Sequence, residues 1–297
     1  MNMIKLLRFL QNEIYNIFRT RAFQIVVLIL ILMMLVDGVL AYRVYRLNLI
    51  TTLNGYETLD DGTFKSYPFL QIYTVYNSWI GGRVNQVLPM IFFYTLPLFS
   101  VIPYSWSYLS ERKNGYDRAM VTHLGKKIYF WGKYLSAFLS GVITVLLPML
   151  FSFVFVCCLI PAYKTDVDFA LYYQIRGDSK LLGNLYYAHP LITVFLNMLQ
   201  ISVFAGVWAT VPFALSFYEK NKFVIMLAPY LFLMYLMASL ELAFAYHSYA
   251  ETSIIDYIWL TGNSTNQYLW IYLVEMLAVI VPPIIIVLER SKNADVF

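Results

Sequence analysis

Residues 134–161 read YLSAFLSGVITVLLPMLFSFVFVCCLIP, a run without a single Asp, Glu, Lys or Arg. An apolar stretch of about 18 residues or more marks a membrane-crossing helix, whereas runs of about 10–14 belong to buried core helices. Backbone polar groups in hydrocarbon must pair within their own segment or around a closed barrel. The run shows no period-two alternation, so it is read as a helix.

Working outward, five more stretches have the same character. Residues 84–110 and 190–218 also lack all four charged residue types, while 22–42, 223–247 and 268–288 each hold one acid: Asp37, Glu241 and Glu275. The whole chain is 60% hydrophobic and 13% charged, with mean hydropathy +0.64. A soluble domain carries about 25% charged residues, which excludes a soluble globular or disordered class. The expectation is one all-α transmembrane domain over residues 1–297, with six spans at about 22–42, 84–110, 134–161, 190–218, 223–247 and 268–288. The first run is too long, and too far from residue 1, for a signal peptide.

The distribution of bases sets the expected orientation. With the N-terminus in the cytoplasm, the inner segments 1–21, 111–133, 219–222 and 289–297 hold 14 of the 21 Lys and Arg residues. The longer outer segments, 43–83, 162–189 and 248–267, hold the other seven. This asymmetry follows the positive-inside rule and places both termini in the cytoplasm. Ahead of the first span, Lys5, Arg8, Asn12, Asn16 and Arg19 recur at helical spacing opposite Leu6, Leu7, Leu10, Ile14, Ile17 and Phe18. Residues 1–21 therefore read as an amphipathic helix in the headgroup layer. Prolines 97, 103, 148, 212, 229, 282 and 283 are expected to kink spans. The pairs Ala137/Gly141 and Ser202/Gly206 permit close helix contact.

Several chemistries are missing. No GxxxxGK[ST] loop occurs, since Gly125-Lys126 and Gly132-Lys133 lack the rest of the motif, so no P-loop binds ATP here. There is no GxSxG or HExxH, and His123, His189 and His247 fall on alternate sides of the membrane in this topology. Neighbouring Cys157 and Cys158 form no metal set or disulfide framework. No catalytic or metal site is read, and a net charge of +4 gives no reason to expect nucleic acid. What stands out is the basic inner loop 111–133. Gly115 breaks a helix there, Ala119, Met120, Val121 and Leu124 form a short apolar stretch, and Lys126, Lys127 and Lys133 lead into the next span. Such a loop reads as a short helix held against the cytoplasmic face, open to a soluble partner.

On Glu111, Gly115, Leu124 and the Gly132-Lys133 pair, together with the six-span pattern and its N-terminal helix, the chain resembles the permease subunits of ABC-2 type ABC transporters. Where that family usually has Thr after the glycine and a nearby proline, this chain has Tyr116 and His123-Leu124-Gly125. The resemblance implies a type V exporter-like architecture in a bacterial plasma membrane. It implies a coupling helix, with Glu111, Arg112, Gly115, Arg118 and Leu124 meeting a separate ABC ATPase present in two copies. It also implies a second permease, identical or homologous, with ATP and Mg bound by the ATPase and no cofactor in this chain. Residues 248–267, with Ile254, Ile255, Ile258, Trp259 and Leu260, would then dip into the outer leaflet, although composition fits a surface loop nearly as well.

Acids inside a membrane cost about 2.5–3.5 kcal/mol each at a helix centre, so they turn inward or pair. Asp37, Glu241 and Glu275 lie toward the outer ends of their spans and are either candidates to line a substrate path or near-interface residues that bond locally. The tyrosine-rich outer loops, with Tyr73, Tyr76, Trp79, Tyr173, Tyr186 and Tyr187 among others, read first as an interfacial anchoring belt. The alternative is an outer cap. The expected function is outward movement of a drug, antimicrobial peptide or lipid-like substrate. Its rivals are a secondary transporter or channel working without ATP, an intramembrane enzyme, and a non-transporting sensor or immunity partner. The repeats or paired broken helices of a secondary transporter are not visible.

Overall fold

The computed structural model describes residues 3–56, 72–84, 86–104, 106–175, 177–244, 253–261 and 266–293, and holds no strand among them. The chain begins with α1 (Met3–Arg19), α2 (Arg21–Tyr56), α3 (Val75–Ser78), α4 (Val87–Val101), α5 (Ser107–Lys113) and α6 (Tyr116–Leu124). It continues through α7 (Lys126–Cys157), a 3-10 turn at Val167–Phe169, α8 (Ala170–Tyr173) and α9 (Gly183–Ala188). It ends with α10 (Pro190–Leu215), α11 (Lys222–Phe244), α12 (Ile254–Ile258) and α13 (Leu269–Asn293). Among the described residues, five helices are long and apolar enough to cross a membrane: Arg21–Ile50, Lys126–Cys157, Pro190–Leu215, Lys222–Leu240 and Leu269–Lys292. The protein is an all-helical membrane protein with several crossings.

The second expected span, 84–110, is not one helix. α4 has 15 residues, roughly 22 Å at 1.5 Å per residue and short of the ~30 Å hydrocarbon core. Pro103 accounts for the break, because it has no N–H for the Phe99 carbonyl and its ring crowds that turn. The chain turns through Tyr104 N to Val101 O (3.4 Å) and Ser107 N to Tyr104 O (2.9 Å) before helix resumes in α5. The first span is corrected in the other direction. α2 has 36 residues, roughly 54 Å, so the part of the expected outer loop from 43 to 56 is helix. α7 likewise starts at Lys126 rather than 134, which makes the last third of the expected inner loop helical.

At the centre lie α10 and α7, packed against each other more extensively than any other pair. A Cβ on Gly141 would lie 2.5 Å from the Ala205 carbonyl oxygen, and one on Gly206 would lie 2.8 Å from that of Phe138. The two glycines let the backbones touch, the contact expected from the small-residue pairs. α2 and α4 pack on this central pair, α13 covers α10 and α7, and α11 rests on α10 and α4. The outward faces of α2, α11 and α13 carry exposed Leu, Ile, Val and Phe.

Helix α1 is corrected in its facing. Leu6, Phe9, Glu13 and Ile17 are buried, whereas Leu7 and Phe18, expected on the apolar side, are exposed. The buried stripe lies across the start of α7.

At the far end of the bundle the tyrosines pack on one another. Tyr173, Tyr186 and Tyr187 form a small core with Ile72 and Leu260, and Trp79 is fully buried with its ring edge against Phe153 of α7. These side chains build a cap of their own; an anchoring belt would hold them at the membrane surface. α12 is buried along its whole length beneath it. Asn197 Nδ2 of α10 donates to the Ile258 carbonyl (2.9 Å), Gln200 Nε2 donates to that of Tyr257 (3.2 Å), and Trp259 stacks on Phe93 of α4. Asn197 lies seven residues into α10, roughly 10 Å from its start. The 253–261 segment therefore enters the bundle, with α10 side chains satisfying carbonyls that have no helical partner.

Candidate functional site

The basic end of the molecule is built around Lys133, which has no exposed surface. Its environment follows from two pairs of residues. On α1, Phe9 and Glu13 are one turn apart on one face; on α7, Gly132 and Lys133 are neighbours facing them. A Cβ on Gly132 would lie 2.5 Å from the Phe9 ring, so glycine makes room for that ring. One turn along α1, Glu13 then reaches Lys133 Nζ at 2.9 Å.

The third member comes from α5. Glu111 pairs with Lys133 through one oxygen and accepts from the Tyr129 hydroxyl (2.7 Å) through the other. Ser107 Oγ donates to Glu111 (3.1 Å), while the Tyr104 hydroxyl, from the turn after α4, donates to Glu13. The rings of Phe9, Tyr104 and Tyr129 lie 5.4–6.0 Å from the ammonium, within range of cation–π attraction. One buried cation thus joins the N-terminal helix, the helix after the α4 break and a central span. Two carboxylates against one ammonium leave the cluster with a formal charge of −1. Burial, together with Glu111 and Glu13, raises the Tyr116 phenol above its usual 10.0.

The residues expected to meet a partner lie beside this cluster and divide into two groups. Glu111 is turned inward and half-buried, and Leu124 is half-buried against the aromatic core of this end. Arg112, Gly115 and Arg118 are exposed. Gly115 has φ +71 and Gly125 has φ +84, values that side-chain-bearing residues rarely adopt, and between them they set off α6 as a separate short helix. Asp117 and Val121 point inward from α6 while Arg118, Ala119, Thr122 and His123 face out. Asp117 also places its charge at the positive end of that helix.

Of the acids expected along a substrate path, Asp37 and Glu275 are not brought together. Asp37 is buried and paired with Arg83, whose Nη1 also donates to the Asp37 carbonyl (3.0 Å). The Arg83 carbonyl in turn accepts from Thr261 Oγ1 (3.0 Å), so a second buried cation ties three segments at the far end. Asp37 Oδ2 has no hydrogen-bond partner among the described residues. Glu275 is half-buried on α13, a helix that does not pack extensively on α2. The side chain of Glu241 lies outside the described residues.

Sequence reasoning missed Glu13, Tyr104 and Arg83 as partners in buried clusters. Glu13 did leave a signal, as an acid on the line Leu6, Phe9, Ile17. Arg83 left none, because an arginine in an outer segment reads as a solvated loop charge.

Comparison with known proteins gives one informative match. Over 144 residues the chain is 23% identical to a protein of Bacillus subtilis (strain 168) described as "Uncharacterized protein YybM". The match covers 48% of this chain and 55% of that protein, so it spans about half of each. No protein-family model matches the chain, and no solved structure does.

Proposed function

We propose that this chain is the permease subunit of an ATP-driven ABC exporter of the ABC-2 type. In this reading it lies in the bacterial plasma membrane with both termini and the α5–α6 segment in the cytoplasm. Two copies of a separate ATPase, which bind ATP and Mg, dock on the exposed face of α6 and on Arg112, Gly115 and Arg118. A second permease, identical or homologous, completes the path, and a drug, antimicrobial peptide or lipid-like molecule leaves through it.

The observation that carries the reading is the buried Lys133 cluster. A docking surface on α6 transmits work only if it is fastened to the helices that must move. Glu111 stands two residues before the end of α5, and through Lys133 it is fixed to α7 and α1. Lys133 is fully buried, and leaving a buried charge without its partners costs about 3–5 kcal/mol. A push on α5–α6 therefore moves α1 and the start of α7 with it, as rigid-body rocking requires. The basic residues concentrated at this end support its placement in the cytoplasm. The partner must contact the two states of the bundle differently, or no equilibrium shifts.

The test is purification from native membranes in mild detergent, with identification of the co-purifying chains. The expected result is an ATPase bearing a P-loop, released when Arg112 and Arg118 are both replaced by Glu. Transport by the reconstituted chain alone, without nucleotide, overturns the proposal in favour of a secondary transporter.

A further inference from the structure

A cavity of about 440 Å³ opens at the end of the bundle opposite Lys133, between the segment after α7 and the start of α10. Its lining includes Tyr76, Lys164, His189, Pro190, Leu191 and Ile192. Two bases from different segments converge there, and no acid lines the wall among the described residues. Asp166, close to Lys164 in sequence, turns its carboxylate onto the Asp168 amide instead. The backbone adds donors of its own. No His189 side-chain hydrogen bond caps α10, Pro190 has no N–H, and the Leu191 and Ile192 amides have no partner among the described residues.

Directly below the cavity an apolar stripe runs along α10. Leu191, Phe195 and Leu199 recur every fourth residue, with Ile192 and Leu196 beside them, and all five are exposed. A polar, base-lined recess thus stands at the head of a hydrocarbon-facing column. A ligand carrying a phosphate on two acyl chains matches both parts.

We propose that this cavity holds the phosphodiester headgroup of a membrane phospholipid, with Lys164 and His189 as its polar contacts and the acyl chains laid along the α10 stripe. The site is independent of ATP coupling. Both side chains are exposed, so replacing them leaves the core intact.

The test titrates dioctanoyl phosphatidylglycerol onto the purified full chain in detergent and reads bound lipid by native mass spectrometry. Lys164→Gln is expected to weaken binding about fivefold, and Lys164→Gln with His189→Gln at least about tenfold, from the worth of a base near a lipid surface and of a hydrogen bond to a charged group. Arg43→Gln, an exposed base on α2, serves as the control and leaves binding unchanged. Inorganic phosphate is expected to displace little lipid. Displacement of all the lipid at comparable concentration overturns the lipid assignment, because the cavity then takes free phosphate. Equal binding by the double variant and the unaltered chain overturns the site.

Discussion

Replacing Lys133 by Met tests whether the charged cluster holds three segments together. Methionine keeps most of the length and all of the apolar character of the stem, so packing against Phe9 changes little. What is lost is the only cation within reach of Glu13 and Glu111 among the described residues. Glu13 is 6% exposed, and leaving a buried carboxylate without its partner costs about 3–5 kcal/mol. Glu13→Gln is milder. The amide oxygen still accepts from Tyr104 and Lys133, and Glu111 still balances the ammonium, so the loss is about 1–2 kcal/mol. At roughly 2–4 °C per kcal/mol for a large domain, Lys133→Met lowers the unfolding midpoint by about 6–20 °C and Glu13→Gln by a few degrees. Tryptophan fluorescence of the purified chain in mild detergent, followed against temperature, reads both. The double variant is expected to lose less than the sum of the two, because each charge becomes harmful when the other is gone. If Lys133→Met unfolds within about a degree of the unaltered chain, the cluster does not bear on the fold and the proposed fastening of α5 to α7 fails with it.

Three further outcomes follow from single features. Gly141→Leu drives a side chain into the Ala205 carbonyl and should cost about 1–3 kcal/mol or more, visible as aggregation on size-exclusion chromatography. Gly115→Ala meets no neighbouring atom and should lose only about 1–2 kcal/mol for left-handed backbone, read as a lowered unfolding midpoint with Gly115→Asn less affected. Burial pushes the Tyr173 and Tyr187 phenols up to about 12 from 10.0. The fold therefore favours their neutral forms. That contribution is complete below pH 10 and is lost as pH rises from 10 through 12, where the unfolded chain ionises first. Tyrosinate absorbance should rise together with loss of the tyrosine cap, and Tyr187→Phe should remove part of the effect; titration of every tyrosine near 10 in the folded chain would contradict it.

Five of the six expected spans and the short helix between Gly115 and Gly125 were legible because hydropathy and glycine act locally. A run of apolar residues needs no knowledge of its neighbours to be committed to hydrocarbon, and a positive φ is signalled by the residue that adopts it. The break at Pro103 was legible in principle, but the apolar composition of 84–110 runs straight through it. A window that averages hydropathy cannot see a missing N–H. The same averaging stopped the first span at Arg43, where bases suggest an interface although the backbone has no reason to leave the helix. The charge clusters were hidden for a different reason. Glu13 and Lys133 are 120 residues apart, and the meaning of each depends on the other: alone, an acid on an amphipathic helix and a lysine before a span both read as solvated charges. What converts them is the helix contact, set by Gly132 accepting the Phe9 ring. A glycine's function is to lack a side chain, so sequence marks it only as a weak motif match with Lys133. Burying Lys133 without carboxylates would be prohibitive, and burying Glu13 without Lys133 equally so. The two positions therefore stand or fall together, and exchange of the charges, Glu13→Lys with Lys133→Glu, should not restore what either single change removes. Glu111 would then adjoin a carboxylate at position 133, with the ammonium carried on α1 instead of standing between the two acids.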